Sequence, residues 1–326
     1  MRAFVTGASG FLGGRLAQVL ANRGIPVRIL VRSTNDLRHL AGLPVEAVHG
    51  TLADLPVLEN AVRDATHVFH CAASSTDWAS WETYFTANVA GTQNMLRAAR
   101  RAPGLKRFLH VSTTDVYGYP LRVCDESHPA VDAGLPYNRT KCLGERAVWD
   151  SGLPVTVVRP ATIYGPRSVT FGSDLEKLLR QRLMAVVDGG SARGGFLYVD
   201  NAVDAILTAA AASESLGRAY NLSDGTDVTW KSYVDALADG LGMRRPWIDI
   251  PSRVALALAS AMEAPHRFLK IPGRPLLTRH AVYLLARDQE FPNMRARTEL
   301  GFAPAVSFGE GMARMVQWLK KVPADR

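Results

Sequence analysis

A glycine-rich turn at the start of the chain constrains its fold more than any other feature. Residues 2–6 form a short apolar run typical of a buried strand, and Gly7, Gly10 and Gly13 follow it in TGASGFLG. An amphipathic segment, residues 12–22, predicts a helix directly afterwards. Gly7 permits the chain to reverse, Gly10 lets backbone approach a pyrophosphate, and Gly13 lets the helix pack on a sheet. The N-terminus of that helix would then face the phosphates.

The spacing of this turn is GxxGxxG, whereas the standard dinucleotide fingerprint is GxGxxG. Three glycines alone are a weak signal, and the alternative is a strand-to-helix turn that binds nothing. Their position between an N-terminal strand and an amphipathic helix favours the nucleotide. We therefore place Phe11 and Leu12, which begin the helix, in the predicted cofactor site together with the three glycines.

The residues after the second predicted strand, 27–31, indicate which nicotinamide cofactor binds. NAD-selective enzymes usually place a carboxylate there, which accepts hydrogen bonds from the ribose hydroxyls. This chain has Arg32 and Ser33 instead. A guanidinium matches the charge and the bidentate geometry of a 2′-phosphate, so NADP(H) is favoured over NAD(H). Arg38 is either a second contact or a solvated surface charge.

Tyr137 and Lys141 form the sequence YNRTK and predict proton-transfer chemistry. At i and i+4 on a helix they share one face, where a cation would lower the pKa of the phenol. The pattern occurs often by chance, and its weight comes from the preceding strand. Ser112, Thr113 and Thr114 leave that strand at its carboxyl end, where hydroxyls are able to hold a substrate carbonyl.

Taken together, these motifs resemble the extended short-chain dehydrogenase/reductases, within the NAD(P)-dependent epimerase/dehydratase superfamily. The resemblance spans nearly the whole chain. The branch most similar in appearance contains 3β-hydroxysteroid dehydrogenases, 2-alkyl-3-oxoalkanoate reductases and dihydroflavonol reductases. The stretches that carry the resemblance are TGASGFLG, HCAAS (70–74), NVAGT (88–92), HVSTTDVYG (110–118), YNRTK (137–141) and RPATIYGPR (159–167).

The resemblance implies roles for individual residues. Thr113 matches the catalytic Ser/Thr position, with Ser112 and Thr114 as substitutes, and Tyr137 matches the acid/base tyrosine. Lys141 would support that tyrosine and also hold the nicotinamide ribose. The further implied cofactor contacts are Thr51, Leu52, Ala72, Ala73, Ser74, Pro160, Thr162 and Ile163. Where the family often has an acidic residue beside the adenine, the segment GTLAD has Thr51.

The order of predicted elements indicates an α/β fold. Strands and helices alternate to about residue 161, which predicts a Rossmann-like doubly wound parallel sheet and a smaller, discontinuous C-terminal substrate lobe. We predict a nucleotide-binding domain from residues 1–165 and about 195–225. Residues of about 166–194 and 226–326 would form the lobe.

Composition is consistent with a compact enzyme. The chain has 326 residues, a formal net charge of +8 and three widely separated cysteines without metal-type spacing. We expect no metal and a cytoplasmic location, with no signal peptide or transmembrane segment. The basic residues are scattered, so nucleic-acid binding is not expected. The charge is also compatible with a carrier- or CoA-linked small-molecule substrate, and the family resemblance implies a homodimer.

The substrate-binding residues are less well defined by the sequence. The loop after the fourth strand carries Asp77 and Trp78, and we predict that both contact substrate together with Thr114 and Tyr164. Core packing is the alternative for the tryptophan. The apolar segment 254–262 would line the substrate mouth, touch a membrane surface or pack internally.

Three functions follow from these expectations. The first is NADP(H)-dependent interconversion of a ketone and a secondary alcohol on a small hydrophobic substrate (steroid-like, polyketide or alkyl 3-oxo). The second is a nucleotide-sugar epimerase with tightly held NAD. A sugar dehydratase is disfavoured because Thr114 stands where those enzymes have an acid, although Asp115 follows it. The third, a non-catalytic nucleotide sensor, would not need the intact set Thr113, Tyr137 and Lys141.

Overall fold

The computed structural model describes residues 1–269 and 271–321. Its strands are β1 (Ala3–Thr6), β2 (Val27–Val31), β3 (Val45–His49), β4 (His67–His70), β5 (Arg107–Val111), β6 (Val155–Pro160), β7 (Thr162–Tyr164), β8 (Ala185–Val187), β9 (Phe196–Tyr198), β10 (Arg218–Leu222) and β11 (Ile248–Ile250). Its helices are α1 (Phe11–Asn22), α2 (Leu55–Val62), α3 (Trp81–Phe85), α4 (Gly91–Ala99), α5 (Pro136–Trp149), α6 (Asp174–Arg180), α7 (Val199–Ala211), α8 (Trp230–Leu241), α9 (Ser252–Phe268), α10 (Arg279–Ala286), α11 (Met294–Leu300) and α12 (Phe308–Lys321). A π-helical turn, Thr86–Ala90, joins α3 to α4.

Seven parallel strands form the main sheet in the order β10-β6-β5-β4-β1-β2-β3. The order reverses between β1 and β4, since the chain winds outward from β1 first to one side and then to the other. Ligands of open α/β sheets bind at such a reversal, beyond the carboxyl ends of the strands. The predicted Rossmann-like fold is confirmed. Its strand order indicates a ligand site formed by the residues that follow β1, β4 and β5.

The sheet is covered on both faces, which explains why its inner strands are apolar throughout. All residues of β1 and β4 are buried. One core packs against α1, α7 and α11 and includes Leu16, Ile206 and Leu300. The opposite core packs against α2 and α4 and includes Leu58 and Met95. This double cover fixes the strands, and with them the positions of the loops at their carboxyl ends.

A smaller lobe with its own core follows β6. Aromatic residues from β7, β9 and α8, among them Tyr164, Phe196 and Tyr233, pack with Met315 of α12. The chain then returns, because β10 pairs with β6 as the last strand of the main sheet. The domain limits of about 166, 194 and 226 remain a prediction.

Helix α9 contains the apolar segment whose role the sequence left open. Ala255 and Ala259 are buried against Val187 and Val282, whereas Val254 and Leu258 are exposed. The segment therefore packs internally along one side and presents an apolar strip on the other. No helix in the described part of the chain is both long and apolar enough to cross a bilayer.

Candidate active site

The glycine-rich turn follows β1 at the point of strand reversal. Gly7 has φ +75°, and a Cβ atom there would lie 2.8 Å from the backbone nitrogen of Ala72 after β4. Gly10 immediately precedes α1, and its amide donates to the carbonyl of Gly7. The missing side chains therefore leave backbone amides and the start of a twelve-residue helix facing one concave surface. This surface suits a phosphate group, because helix N-termini carry unsatisfied N–H donors.

Arg32 and Ser33 follow β2 and are exposed. The backbone amide of Arg32 donates to Asn35 Oδ1 at 2.8 Å, which fixes the turn, while no described residue forms an ion pair with its guanidinium. Arg38, the other cation proposed near the ribose, is paired with Asp36 at 2.5 Å. Of these two arginines, Arg32 is the one without a described carboxylate partner.

The structure shows a carboxylate close to the predicted adenine side, although the sequence has Thr51 at the usual acidic position. Asp54 accepts hydrogen bonds from the amide and the hydroxyl of Thr51, at 2.7 and 2.8 Å. An acidic group is thus supplied three residues later. Leu52 packs against Gly91, where a Cβ atom would lie 2.7 Å from Leu52 Cδ1.

The segment after β4 is held in place by Asn88 from the NVAGT motif. The Asn88 side chain bonds to both the amide and the carbonyl of Ser74, at 2.8 and 3.1 Å, and to Thr140 on α5 at 3.1 Å. Ala72 and Ala73 precede Ser74 in this segment, and Ala72 and Ser74 are partly buried. Asn88 therefore ties the predicted diphosphate-binding loop to the helix that bears the tyrosine, a role that we had not assigned to it.

Thr113, Tyr137 and Lys141 meet at the carboxyl end of β5. Tyr137 is the second residue of α5, which begins with Pro136, a residue favoured at the first helical position. The side chain of Thr113 lies close enough to its hydroxyl to lower the pKa of Tyr137, although burial raises that pKa more. Lys141 is buried one turn later, and its Nζ donates to the carbonyl of Val111 at 2.9 Å. The structure thus brings the predicted catalytic residues together.

Burial controls the ionisation of this group. Desolvation lowers the pKa of Lys141 to about 8, against opposing attraction from Glu145 and Asp115. The pKa of Tyr137 is raised, first by desolvation and then by the negative charge of Asp115. We had expected the lysine to lower that pKa. In this arrangement burial dominates, so the phenol stays protonated and is suited to act as an acid.

The two substitutes for Thr113 are engaged elsewhere. Ser112 donates to the carboxylate of Glu145 at 2.5 Å, within a buried network that also holds Arg159. Thr114 is buried in the short helical turn that follows β5. Of the three residues, Thr113 is the one whose side chain lowers the pKa of Tyr137.

A buried histidine from the smaller lobe completes the site. His280 of α10 stacks on Tyr137, with ring centroids 5.3 Å apart and planes at 21°. Its Nε2 lies 2.9 Å from Asp115 Oδ2, which also accepts a hydrogen bond from the hydroxyl of Tyr119 at 2.9 Å. We did not predict His280, because its position after a long interval in another lobe gave no local signal.

Asp77 and Trp78, the predicted substrate contacts, form links to the smaller lobe. Asp77 is paired with Arg274 at 2.5 Å and accepts a hydrogen bond from Thr278 at 2.8 Å. The ring of Trp78 lies edge-on to His266, with centroids 6.0 Å apart. Asp77 therefore links the loop after β4 to the segment between α9 and α10, and Trp78 contacts α9 itself. A substrate role for either residue remains a prediction.

Tyr164 lies outside this cluster. Its side chain is fully buried among Phe196, Tyr198 and Tyr233 in the core of the smaller lobe, so it offers no surface to a ligand. The structure thus favours core packing over the predicted substrate contact. Pro160 is the last residue of β6, and Thr162 and Ile163 lie in β7, where Thr162 is buried and Ile163 partly exposed.

Arg167 is a further unpredicted residue at the glycine-rich turn. Its guanidinium donates to the carbonyl of Ser9 at 3.3 Å, and its Nη1 would lie 2.8 Å from a Cβ atom on Gly14. Desolvation lowers the pKa of this arginine. A second cation is thus available near α1. Among the residues that the structure describes, no cluster of three or more His, Cys, Asp and Glu residues is arranged to hold a metal ion.

These features fit a nicotinamide dinucleotide. The cradle formed by Gly7, Gly10 and Gly13 suits the diphosphate, and the end of β2 suits the adenosine ribose. The group formed by Thr113, Tyr137 and Lys141 lies beyond β5, on the other side of the reversal. A dinucleotide that spans the carboxyl edge would therefore carry its nicotinamide towards the tyrosine.

Comparison with known proteins agrees with this geometry. The model of the NAD dependent epimerase/dehydratase family matches residues 3–223. A 4-hydroxy-2-methyl-3-oxo-4-farnesyl-3,4-dihydroquinoline-1-oxide ketoreductase of Stigmatella aurantiaca is 35% identical over 97% of this chain and 96% of its own. A 2-alkyl-3-oxoalkanoate reductase of Stenotrophomonas maltophilia is 32% identical over 97% and 98%. Among solved structures, MoeE5 in complex with UDP-glucose and NAD superimposes with a TM-score of 0.75 at 25% identity, covering 98% of this chain and 99% of that one.

The family match covers well over half of the chain, and both relatives are similar over nearly their full length. Together with the glycine cradle and the tyrosine–lysine pair, they confirm the resemblance seen in the sequence. The chain belongs to the NAD dependent epimerase/dehydratase family, in which it is an NAD(P)-dependent oxidoreductase.

Proposed function

We propose that this enzyme interconverts a ketone and a secondary alcohol on a small, mainly apolar substrate, with NADP(H) as cofactor. The observation that carries the proposal is the convergence of the hydroxyls of Tyr137 and Thr113 beside the buried Lys141, at the carboxyl end of β5. A carbonyl oxygen placed between these hydroxyls accepts a hydrogen bond from each. The two relatives are named as reductases of 3-oxo compounds, which supports a ketone as the reacting group.

The residues of the site suit such a reduction. The nicotinamide of a dinucleotide whose diphosphate binds at the cradle would supply the hydride. Thr113 and Tyr137 orient the carbonyl, and their hydrogen bonds strengthen as negative charge develops on its oxygen. Tyr137 then donates its phenolic proton to that oxygen, and its raised pKa keeps this proton in place beforehand. The ammonium of Lys141 stabilises the phenolate that remains.

The preference for NADP(H) is part of the proposal. Arg32 has no ion-pair partner among the described residues and lies at the end of β2, where the adenosine ribose of a dinucleotide would bind. A guanidinium there gains two charge-assisted hydrogen bonds from a 2′-phosphate and loses them with a bare hydroxyl. Arg38 contributes less, because Asp36 already neutralises it.

An apolar substrate is favoured by the surroundings of the tyrosine. The ring centroids of Tyr84 and Tyr137 are 6.0 Å apart, and His280, which stacks on Tyr137, also contacts the ring of Tyr119 at a tilted angle. Binding to a carrier- or CoA-linked substrate, formation of a homodimer and a cytoplasmic location remain predictions. So does peripheral contact with a membrane, which the exposed Phe268 and Leu269 at the end of α9 would support.

A nucleotide-sugar epimerase is the alternative within the same family, as the structural similarity to a UDP-glucose complex keeps it in view. Sugar dehydration is less compatible with the site, because Asp115 already accepts hydrogen bonds from Tyr119 and His280. A carboxylate held in this way is not free to protonate a leaving group.

Identification of the retained cofactor separates these functions. The purified protein is denatured, any released nicotinamide is identified by mass, and the emptied protein is titrated with NADPH and NADH. We expect an exchangeable cofactor, tighter binding of NADPH and NADPH oxidation in the presence of apolar ketones. Stoichiometric, non-exchanging NAD without ketone reduction would instead support the epimerase.

A further inference from the structure

Hydrogen bonds and an ion pair at the start of α10 hold His280 against the ring of Tyr137. Thr278 caps α10 by accepting a hydrogen bond from the amide of Ala281, and its hydroxyl donates to Asp77 on the opposite loop. Arg274 pairs with the same carboxylate. The imidazole thereby takes a fixed position parallel to the ring of Tyr137. A substrate bonded to the phenolic hydroxyl therefore lies beside the edge of the imidazole.

The two nitrogens of this imidazole have different surroundings. Nε2 lies 2.9 Å from the carboxylate of Asp115, which, when ionised, only accepts hydrogen bonds. The network therefore assigns the ring proton to Nε2. Nδ1 is buried and has no hydrogen-bond partner in the described structure. In the neutral ring this leaves Nδ1 as a bare acceptor, which a donor on the substrate would satisfy.

An unpartnered ring nitrogen is not by itself a ligand contact. His110 is also buried without partners, but it lies in β5 within the main sheet and stacks on His70. His280 differs because it contacts the ring of the acid/base residue and comes from the smaller lobe. The ring of His280 therefore adjoins the place where substrate must sit if Tyr137 protonates a carbonyl.

The charged groups near His280 indicate which substrate group would donate a hydrogen bond to Nδ1. The carboxyl group of Asp115 lies 2.9 Å from the ring and, when ionised, repels a substrate carboxylate next to a neutral imidazole. A hydroxyl group carries no charge and donates one hydrogen bond. We propose that His280 is a specificity residue whose Nδ1 accepts a hydrogen bond from a substrate hydroxyl adjacent to the reacting carbonyl. The preferred substrates are then α-hydroxy ketones, an inference that rests on the proposed ketone reduction.

The test compares two ketones that differ by this hydroxyl alone. Butyroin is an α-hydroxy ketone, and butyl propyl ketone is the same chain without the hydroxyl. With wild-type enzyme and NADPH we expect kcat/KM for butyroin to be about tenfold higher, as for one hydrogen bond to a buried acceptor. In His280→Phe, which keeps an aromatic ring beside Tyr137, this ratio should fall to near one because butyroin alone is affected.

Two further variants separate recognition from support of the site. His280→Gln retains a donor towards Asp115 but has no acceptor where Nδ1 lay, so it should lose the preference in the same way. Tyr119→Phe removes the other hydrogen bond to the same carboxylate and should keep the preference. NADPH titration of each variant verifies that the nucleotide site is intact.

The remaining outcomes oppose the inference. An unchanged ratio in both His280 variants would overturn it, and so would an equal loss for both ketones, which would indicate that His280 only positions Tyr137. The ketone 3-oxooctanoate, which carries a carboxylate, is assayed in parallel. If the His280 variants lost kcat/KM selectively for this ketone, a protonated His280 would be binding carboxylates. Calorimetric binding of both ketones to the NADP⁺ complex tests His280 without turnover. Suppose that the wild-type complex binds butyroin more tightly, that both His280 variants lose this preference, and that no ketone is reduced. This result would refute the proposed function and leave this inference standing.

Discussion

Gly13 packs directly against Gly7: a Cβ atom on Gly13 would lie 2.5 Å from the carbonyl oxygen of Gly7. Helix α1 therefore begins on top of the turn that precedes it, and the N–H groups at its start are held at the carboxyl edge of the sheet. This contact is the physical reason for glycine at position 13, whereas Gly7 is required by its positive φ and by the nearby backbone of Ala72. It also makes the nucleotide cradle sensitive to a single methyl group.

The substitution Gly13→Ala should displace α1 from the turn. Overpacking of this kind typically costs about 1 to 3 kcal/mol, and we expect weaker NADPH binding as well as a lower Tm. Gly104→Ala is the matched control, because a Cβ atom there meets nothing within 4 Å. Calorimetric titration and thermal unfolding of both variants provide the measurement. Equal effects of the two substitutions would contradict the assigned contact.

The substitution Tyr137→Phe should abolish most turnover while leaving cofactor binding intact. The ring still packs between Tyr84 and His280, but the proton donor is lost. General acid catalysis contributes roughly a hundredfold to ten-thousandfold, so we expect kcat to fall within that range. Tyr283→Phe serves as a control, since its ring stacks on Tyr119 away from the direct contacts of Tyr137. Comparable kcat values in all three enzymes would refute the role of Tyr137.

The substitution Arg32→Ala should weaken NADPH binding by about tenfold to a hundredfold and leave NADH binding nearly unchanged. The reason is the loss of charge-assisted hydrogen bonding to the 2′-phosphate, which for this exposed side chain contributes about 1.5 to 3 kcal/mol in total. Arg38→Ala should have a smaller effect, because Asp36 already pairs with that side chain. If Arg32→Ala weakened the two cofactors equally, Arg32 would not be recognising the phosphate.

Stability should depend on pH through Lys141. Burial lowers its pKa from 10.5 to about 8 in the folded state. Below about 8 the lysine is charged in both states, and the folded state bears the cost of desolvation. Between about 8 and 10.5 the unfolded chain binds the additional proton, so the unfolding free energy rises with pH.

Lys141→Met removes this titration and provides the reference. The unfolding free energy of wild type minus that of the variant should rise by an amount on the order of 2 kcal/mol across this interval. Urea denaturation at several pH values measures the difference. The subtraction removes the opposing contributions of other groups, such as tyrosines with raised pKa values. A difference that stays constant would show that Lys141 is not desolvated as the structure indicates.

The loops of the main domain were predictable because their chemistry is local. The turn after β1 needs glycine for its own backbone, and the residues that follow β5 lie at the sheet edge wherever β5 lies. Tyr137 and Lys141 are one helical turn apart, so their proximity follows from the spacing. For these reasons the sequence was sufficient to predict the parallel sheet, the glycine-rich turn after β1 and the proximity of Tyr137 and Lys141 on one helix.

Contacts between distant segments could not be read in this way. Thr51 gave no sign of the carboxylate of Asp54 beside it, and Tyr164 resembled a site residue until its burial in the smaller lobe was known. Whether the pKa of Tyr137 is raised or lowered also depended on how deeply the phenol is buried. Burial is a property of the packed chain, so a pattern of residues does not determine its extent.

The sequence by itself determined the fold class, the position of the glycine cradle and the identity of the tyrosine–lysine pair, because each depends on backbone geometry over a few residues. Only the tertiary structure decided that His280 stacks on Tyr137 and that Asp77 fastens the smaller lobe to the loop after β4. These partners lie far apart in the chain. They come together because α10 and the segment before it pack against the main domain. The tyrosine–lysine pair was thus specified locally, while its surroundings arise from the association of two lobes.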